Sequence, residues 1–217
     1  MKFISILTFF FSTAVSAFSC YDPQVIKQMP IDFGKERIAL TREYQSTHYG
    51  IDSASITIEP KMIVLHWTCL PTLELAYRVF HPAAFPASSP RRAELPGDLN
   101  VSSHFLVDKD GTIYQLMPDN WMARHVIGLN HNAIGIENVG GVNDQDDLTE
   151  AQVKANAFLV CYLKKKYPGI TDVIGHNEYL RYKNTPLWLE KDPNYVKVKT
   201  DPGPTFVKRV KELVPSS

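Results

Sequence analysis

Apolar runs divide much of the chain into short strands. Residues 61–67 (KMIVLHW) form a continuous apolar run with β-branched residues, which predicts a buried strand with His66 near its end. Residues 133–139 (AIGIENV) and 170–175 predict two further strands. Apolar runs of this kind are typical of strands that are covered on both faces of a sheet.

A hairpin is predicted between residues 102 and 117. Residues 102–106 and 112–117 alternate apolar and polar side chains, and Asp110-Gly111 lies between them. Asp-Gly between two alternating runs is a strong hairpin signal, because both residues accept the backbone conformation of a tight turn.

Two helices are predicted beside these strands. Residues 71–80 predict a short helix that begins near Pro71 and ends before Pro82, and residues 148–167 predict the longest helix, with Thr149 and Gln152 at the spacing of a capping box. Residues 83–100 are rich in Pro, Ala and Ser and predict a surface loop. Strands, helices and one hairpin together predict a single α/β domain with a central mixed β-sheet flanked by helices.

The first 17 residues have the pattern of a cleaved signal peptide, with a basic residue, an apolar run and small residues before the cleavage point. The run is shorter than the ~20 residues of a membrane span, so no stable span is expected in the mature chain. A lipoprotein anchored at Cys20 is the alternative, and bulky Phe18 does not favour it. We therefore predict a signal peptide at 1–17, an N-terminal extension packed on the domain at 18–60, and the main domain at 61–217. The predicted location is exported, either periplasmic or secreted.

The balance of positive and negative charges argues against one class of binding partner. The chain has 23 Lys and Arg against 23 Asp and Glu, so the formal net charge is zero. This balance argues against nucleic-acid binding, which depends on neutralising many phosphates. Nothing in the pattern implies an oligomer.

Three cysteines, Cys20, Cys69 and Cys161, leave open one disulfide or none, and the apolar helix around Cys161 favours a buried thiol.

Chemistry-bearing side chains follow the predicted strands. His66 ends the first strand, Glu137 lies on the strand 133–139, and His176 follows the last strand. Asp201 precedes a Pro-Gly-Pro turn near the C-terminus. Two imidazoles and a carboxylate, with one position left open, are the ligand set of a catalytic zinc ion. The spacing alone leaves simpler interpretations open, namely buried structural histidines and an aspartate that sets a turn.

Five segments, in order, resemble the zinc-dependent N-acetylmuramoyl-L-alanine amidases of the type-2 amidase and peptidoglycan-recognition superfamily. The segments are MIVLHWT, VSSHFLVDKDGTIYQLMP, ARHVIGLNHNAIGIENVGG, VIGHNEY and KTDPGPTF. Together they extend from about Ile63 to Phe206, which is most of the mature chain. The resemblance implies an amidase domain at 61–217 that takes peptidoglycan or a muropeptide as substrate. The alternatives are a non-catalytic peptidoglycan-recognition module and a different zinc hydrolase that acts within the stem peptide.

The resemblance also implies roles for individual residues. It implies that His66, His176 and Asp201 bind one Zn²⁺ per chain. Glu137 corresponds to the residue that transfers the proton in the branch of the family with an Asp ligand. Lys199 corresponds to the lysine that stabilises the developing oxyanion.

Several residues near these motifs need separate predictions. Ser103 stands where other branches carry a tyrosine, so Glu137 is expected to carry the proton. Asp192-Pro193, in a long segment between His176 and Asp201, is a second candidate for the third ligand, but Lys199 and Pro-Gly-Pro favour Asp201.

We expect substrate contacts from Trp67, Arg124 and Asn130, and expect Gly135 to leave room for substrate beside Glu137. The remaining histidines His104, His125 and His131 are not expected to be ligands. His104 is predicted to pack or to hydrogen bond near the site.

Overall fold

A six-stranded mixed sheet lies at the centre of the structure, a computed structural model that describes residues 19–20 and 23–215. The predicted signal peptide lies outside the described residues. The spatial order of the strands is β1-β4-β3-β5-β2-β6. Their bounds are Ile26–Gln28 (β1), Met62–Trp67 (β2), Phe105–Val107 (β3), Ile113–Gln115 (β4), Ala133–Asn138 (β5) and Asp172–Gly175 (β6).

The central strands of the sheet run parallel. β2 pairs in parallel with β5 on one side and with β6 on the other, and β5 pairs in parallel with β3. β3 and β4 are antiparallel and form the predicted hairpin. The prediction of a mixed sheet flanked by helices is therefore confirmed. Three parallel neighbours bring the carboxyl ends of β2, β5 and β6 to one edge, which is where ligands bind in open α/β sheets.

Within the part of the chain that the structure describes, five α-helices accompany the sheet. Their bounds are Lys35–Tyr44 (α1), Leu73–Phe80 (α2), Arg91–Glu94 (α3), Glu150–Lys166 (α4) and Pro204–Leu213 (α5). The predicted capping box forms at the start of α4, where the Thr149 side chain accepts from Gln152 N–H and the Gln152 side chain accepts from Thr149 N–H. A π-helical turn, Gln45–Tyr49, continues α1.

The two faces of the sheet pack against different parts of the chain. Ile63 and Leu65 of β2 and Ile134 and Ile136 of β5 share a fully buried cluster with residues of α4 and α5. The opposite face carries Met62, Val64 and Ala133, which pack with Tyr44 and Tyr49 from the N-terminal region and with Tyr179 and Tyr195 from the C-terminal region. His66 and Glu137 continue this second face, because side chains alternate along a strand.

The N-terminal region is tied to the domain in two ways. β1 extends the sheet by pairing in parallel with β4. Cys20 and Cys161 form a disulfide, so the prediction of a plain buried thiol at Cys161 is wrong. The helical pattern around Cys161 could not reveal the pairing, because its partner lies 141 residues away in the sequence. Cys69 is free and exposed.

Residues 83–100 are more than the predicted surface loop. They contain α3, and an isolated bridge joins Ala84 to Leu99. Phe85 and Leu99 are buried, because this segment covers part of the sheet face that carries His66. Among the described residues, no helix is both long and apolar enough to cross a membrane.

Candidate active site

The sheet brings three chemistry-bearing residues to one edge. His66 and Glu137 are register partners on the neighbouring parallel strands β2 and β5. His176 follows β6 directly and begins a 3₁₀ turn, His176–Tyr182. All three side chains are buried, with 1% of His66, 8% of Glu137 and 5% of His176 exposed.

Backbone contacts bring Asp201 to this edge although 24 residues separate it from His176. The Asn177 amide donates to the Asp201 carbonyl at 2.8 Å, which joins the turn after β6 to the loop before α5. Further hydrogen bonds come from a loop that follows β5. Thr200 Oγ1 donates to Asp144 Oδ1 at 2.7 Å, and Thr205 donates to Asp146. These contacts of Asp144 and Asp146 could not be predicted from the sequence pattern.

His66, His176 and Asp201 form a tight triangle of potential ligand atoms. His66 Nδ1 lies 3.0 Å from His176 Nδ1 and 3.2 Å from Asp201 Oδ2, and His176 Nδ1 lies 3.1 Å from the same carboxylate oxygen. A tetrahedral zinc ion with bonds of about 2.0–2.1 Å needs neighbouring ligand atoms about 3.3–3.4 Å apart. The spacing and the donor types therefore fit a zinc ion with three protein ligands.

Asp192 does not take part in this triangle. It is exposed, and its carboxylate accepts from the Asn194 amide at 2.9 Å, so it fixes a local turn. Of the two candidates for the third ligand position, the structure brings only Asp201 to the histidines.

Burial and mutual proximity shift the pKa values of this cluster. Burial lowers the pKa of His66 to about 4, and the neighbouring His176 adds to the effect. Burial alone would raise the pKa of Asp201, but the neighbouring His176 imidazole outweighs this effect and holds the pKa well below its usual range. Asp201 is therefore ionised and His66 neutral near pH 7, which are the forms that bind a metal.

A groove with a cavity volume of about 210 Å³ opens over the triangle. Glu137 and Lys199 line it together with the three candidate ligands. Lys197 also lines the groove and pairs with Glu94 of α3 at 3.4 Å. Glu137 is thus placed beside the candidate metal site, where it can exchange protons, and Lys199 brings a positive charge to the same groove.

The three residues expected to contact substrate occupy different surroundings. Trp67, the last residue of β2, is buried, and its ring packs against Gly141. Arg124 lines the groove, and its guanidinium donates to the carbonyls of Leu99 and Pro96 and to the Tyr195 hydroxyl. These contacts fix the Arg124 side chain within the groove wall.

Asn130, the third residue expected to contact substrate, is 1% exposed and forms hydrogen bonds with the backbone. Its side-chain oxygen accepts from the amides of His125 and Val126 at 2.9 and 2.8 Å, and its side-chain amide donates to the Tyr49 hydroxyl. Asn130 therefore fixes the turn that carries His125.

Gly135 makes room for a histidine rather than for substrate, so that expectation is wrong. A Cβ at this position would lie 2.8 Å from Cγ and Nδ1 of His125. His104, as predicted, forms hydrogen bonds near the site: its Nδ1 accepts from the Gly135 amide and its Nε2 donates to the Trp121 carbonyl. Burial lowers the pKa of His104 to about 4.

The fold and the site define a mixed α/β domain whose two-histidine, one-aspartate cluster has the donors and the spacing of a metal site. Residues 56–204 match the family described as N-acetylmuramoyl-L-alanine amidase. The chain belongs to this family. All residues of the triangle, together with Glu137 and Lys199, fall within the matched range.

Individual relatives agree with this assignment. The chain is 30% identical over 178 residues to the 1,6-anhydro-N-acetylmuramyl-L-alanine amidase AmpD of Salmonella typhimurium (strain SL1344), which covers 76% of this chain and 84% of AmpD. It is 35% identical over 77 residues to the endolysin of Escherichia phage T7, which covers 34% of this chain and 51% of the endolysin. The chain thus spans about half the length of the phage endolysins it matches. A crystal structure of AmpD has the same fold, with a TM-score of 0.55, 24% identity, and coverage of 92% of this chain and 99% of that one.

Proposed function

We propose that this protein hydrolyses the amide bond between N-acetylmuramic acid and L-alanine in peptidoglycan or its fragments, with one Zn²⁺ held by His66, His176 and Asp201. The observation that carries the proposal is the triangle of ligand atoms with 3.0–3.2 Å edges in a groove also lined by Glu137 and Lys199. Membership of the amidase family and the similarity to AmpD support the choice of bond.

Glu137 and Lys199 each have a task in this reaction. When bound, Zn²⁺ supplies Lewis acidity, which polarises the scissile carbonyl and makes water more acidic. The Glu137 carboxylate accepts the proton of the attacking water and then delivers it to the amine of L-alanine as the C–N bond breaks. Lys199 donates a hydrogen bond to the oxygen that gains negative charge.

Export is part of the proposal, because peptidoglycan lies outside the cytoplasmic membrane. The disulfide between Cys20 and Cys161 supports it, since structural disulfides persist mainly in oxidising compartments. The apolar run within residues 1–17 supports cleavage before Phe18. Mass determination of the protein from the periplasm or the medium tests this, with a mature chain that begins at Phe18 as the expected result.

A digest of purified peptidoglycan tests the reaction. We expect intact glycan strands and free peptides that begin with L-alanine, with loss of activity under a chelator and recovery with Zn²⁺. Glu137→Gln is the control for contaminating hydrolases. Binding without release of peptide would contradict the proposal and favour a recognition module. Cleavage within the stem peptide would favour a peptidase.

A further inference from the structure

The candidate ligand His66 contacts a second histidine, His125, which is not part of the triangle of ligand atoms. His66 Nε2 lies 3.0 Å from His125 Nδ1, and His125 Nε2 lies 3.2 Å from the carbonyl oxygen of Ala133. The two imidazole rings meet edge to face, with centroids 5.1 Å apart. A continuous hydrogen-bonded row therefore runs from a backbone carbonyl through two rings to the ligand triangle.

The direction of every hydrogen bond in this row follows from its first member. A carbonyl oxygen can only accept, so His125 Nε2 carries the hydrogen and donates to Ala133. A neutral His125 then has its lone pair on Nδ1 and accepts from His66 Nε2–H. A neutral His66 in turn has its lone pair on Nδ1, the atom that faces His176 and Asp201.

We propose that His125 is a positioning residue that selects the tautomer of His66 with a free Nδ1 and thereby strengthens metal binding at the His66, His176 and Asp201 site. This inference rests on the proposed zinc site. In water, neutral imidazole exists as both tautomers, and only one of them offers Nδ1 to a metal. By fixing the hydrogen on Nε2, His125 removes the cost of selecting that tautomer when metal binds.

The surroundings of His125 are arranged to hold its ring in place. Its backbone amide donates to Asn130 Oδ1 at 2.9 Å, and Asn130 is anchored by Tyr49. Gly135 leaves the space that the ring occupies, because a Cβ there would meet it at 2.8 Å. Asn130 and Gly135 therefore both help to position the His125 ring.

The other candidate imidazole ligand has no such support. Within the described part of the chain, His176 Nε2 is buried and has no hydrogen-bond partner. His176 is therefore held through Nδ1 alone, at 3.1 Å from Asp201 Oδ2, whereas His66 has partners at both ring nitrogens. Loss of the His125 nitrogen should consequently change the state of His66 and leave that of His176 unaltered.

Two substitutions separate hydrogen bonding from packing. His125→Phe keeps an aromatic ring but removes both nitrogens, whereas His125→Asn loses the ring and keeps an acceptor close to the position of Nδ1. His81→Asn, at an exposed histidine, is the matched control. The Zn²⁺ dissociation constant of the full mature chain is measured by competition with a chromophoric chelator, and thermal unfolding reports on folding.

We expect His125→Phe to weaken Zn²⁺ binding by about 10–100-fold, the usual effect of losing a group that orients a metal ligand. His125→Asn should retain most of the affinity, and His81→Asn all of it. Equal affinity of His125→Phe and the unaltered protein would overturn the proposal and leave His125 a packing role. Equal losses in the Phe and Asn variants would also contradict it.

The tautomer itself can be observed without metal. In the ¹⁵N-labelled metal-free protein, correlations between ring nitrogens and carbon-bound hydrogens should show His66 with its hydrogen on Nε2, and a mixture in His125→Phe. A hydrogen on Nδ1 of His66 in the unaltered protein would overturn the proposal even if no variant folds. Failure of the unaltered protein to bind Zn²⁺ would instead reject the proposed metal site.

Discussion

His66 and Glu137 lie directly opposite each other on neighbouring parallel strands, β2 and β5. Both side chains extend from the same face at the carboxyl ends of these strands. The sheet therefore fixes the separation of a candidate metal ligand from a candidate proton carrier, with no loop between them. Rigid strands are better suited than loops to hold a catalytic group in a productive geometry.

Glu137→Gln should remove proton transfer and leave the metal site intact. We expect kcat to fall by about 10²–10⁴-fold, the usual contribution of a general acid–base group. Zinc content should not change, because Glu137 supplies none of the three ligand atoms of the triangle. Release of alanine-terminated peptides and metal analysis of the same sample measure both quantities. Retention of full activity would show that another group carries the proton.

Asp201→Ala and Asp192→Ala form a matched pair, because each residue precedes a proline in the same segment of the chain. Asp201→Ala should weaken Zn²⁺ binding by more than the roughly 10–100-fold typical of an outer hydrogen-bonding partner. Asp192→Ala should bind normally, since its carboxylate caps a turn on the surface. Titration with zinc in competition with a chelator distinguishes them. The reverse order of affinities would place the third ligand at Asp192.

The strand pattern predicted the centre of the site because it depends only on residues that are close together in the sequence. Apolar runs place β2, β5 and β6, and alternation places Glu137 on the face opposite Ile134 and Ile136. Parallel pairing then brings the strand ends together. These steps need only the period of the hydrophobic side chains and the polarity of the last residues, and both are visible in the sequence.

Contacts between distant segments could not be predicted in this way. The disulfide at Cys161 depends on a partner 141 residues earlier, and His125 reaches His66 only because a glycine faces its ring. Asp144 holds the loop of Asp201 through a hydroxyl of Thr200. Each contact is set by tertiary packing, for which a single sequence carries no periodic signal.

Gly135→Ala should displace the His125 ring. A Cβ at 2.8 Å from two ring atoms is too close to be tolerated without movement, and overpacking of this kind costs about 1–3 kcal/mol of stability. Zinc binding should weaken as well. Gly169→Ala is the control, because its nearest contact would be an ordinary 3.4 Å.

Gly135→Ala and His125→Ala should then be non-additive in stability, since removal of the ring relieves the clash. Unfolding by denaturant measures the three variants against the unaltered protein. Additive effects would mean that the backbone of β5, and not the ring of His125, responds to the added methyl group.

Cys20→Ser with Cys161→Ser should lower the free energy of unfolding by about 2–5 kcal/mol, because the disulfide closes a loop of 141 residues. Activity at moderate temperature should persist, since Cys161 lies in the core beneath the opposite face of the sheet from His66. Cys69→Ser is the control, because Cys69 is an exposed free thiol, and it should leave the denaturation midpoint unchanged. A reductant that does not shift the midpoint of the unaltered protein would contradict the prediction.

Stability of the metal-free protein should fall as the pH drops from about 6.5 towards 4, and His104 should account for part of this loss. Burial lowers the pKa of His104 from its ordinary 6.5 to about 4. Between these values the unfolded chain binds the proton more tightly, so stability rises with pH and is complete above about 6.5. A shift of this size corresponds to about 3 kcal/mol.

His104→Gln should therefore flatten the dependence of the unfolding free energy on pH within this window. Its absolute stability should also fall, because the ring links Gly135 N–H to the Trp121 carbonyl, but a lost hydrogen bond alone does not change the slope. The other buried histidines are present in both proteins, so their contributions cancel in the comparison. The control His81→Gln, at an exposed ring, should keep the original slope. An unchanged slope in His104→Gln would mean that His104 becomes protonated in the folded protein near its ordinary pKa, so that its burial carries no proton-linked cost.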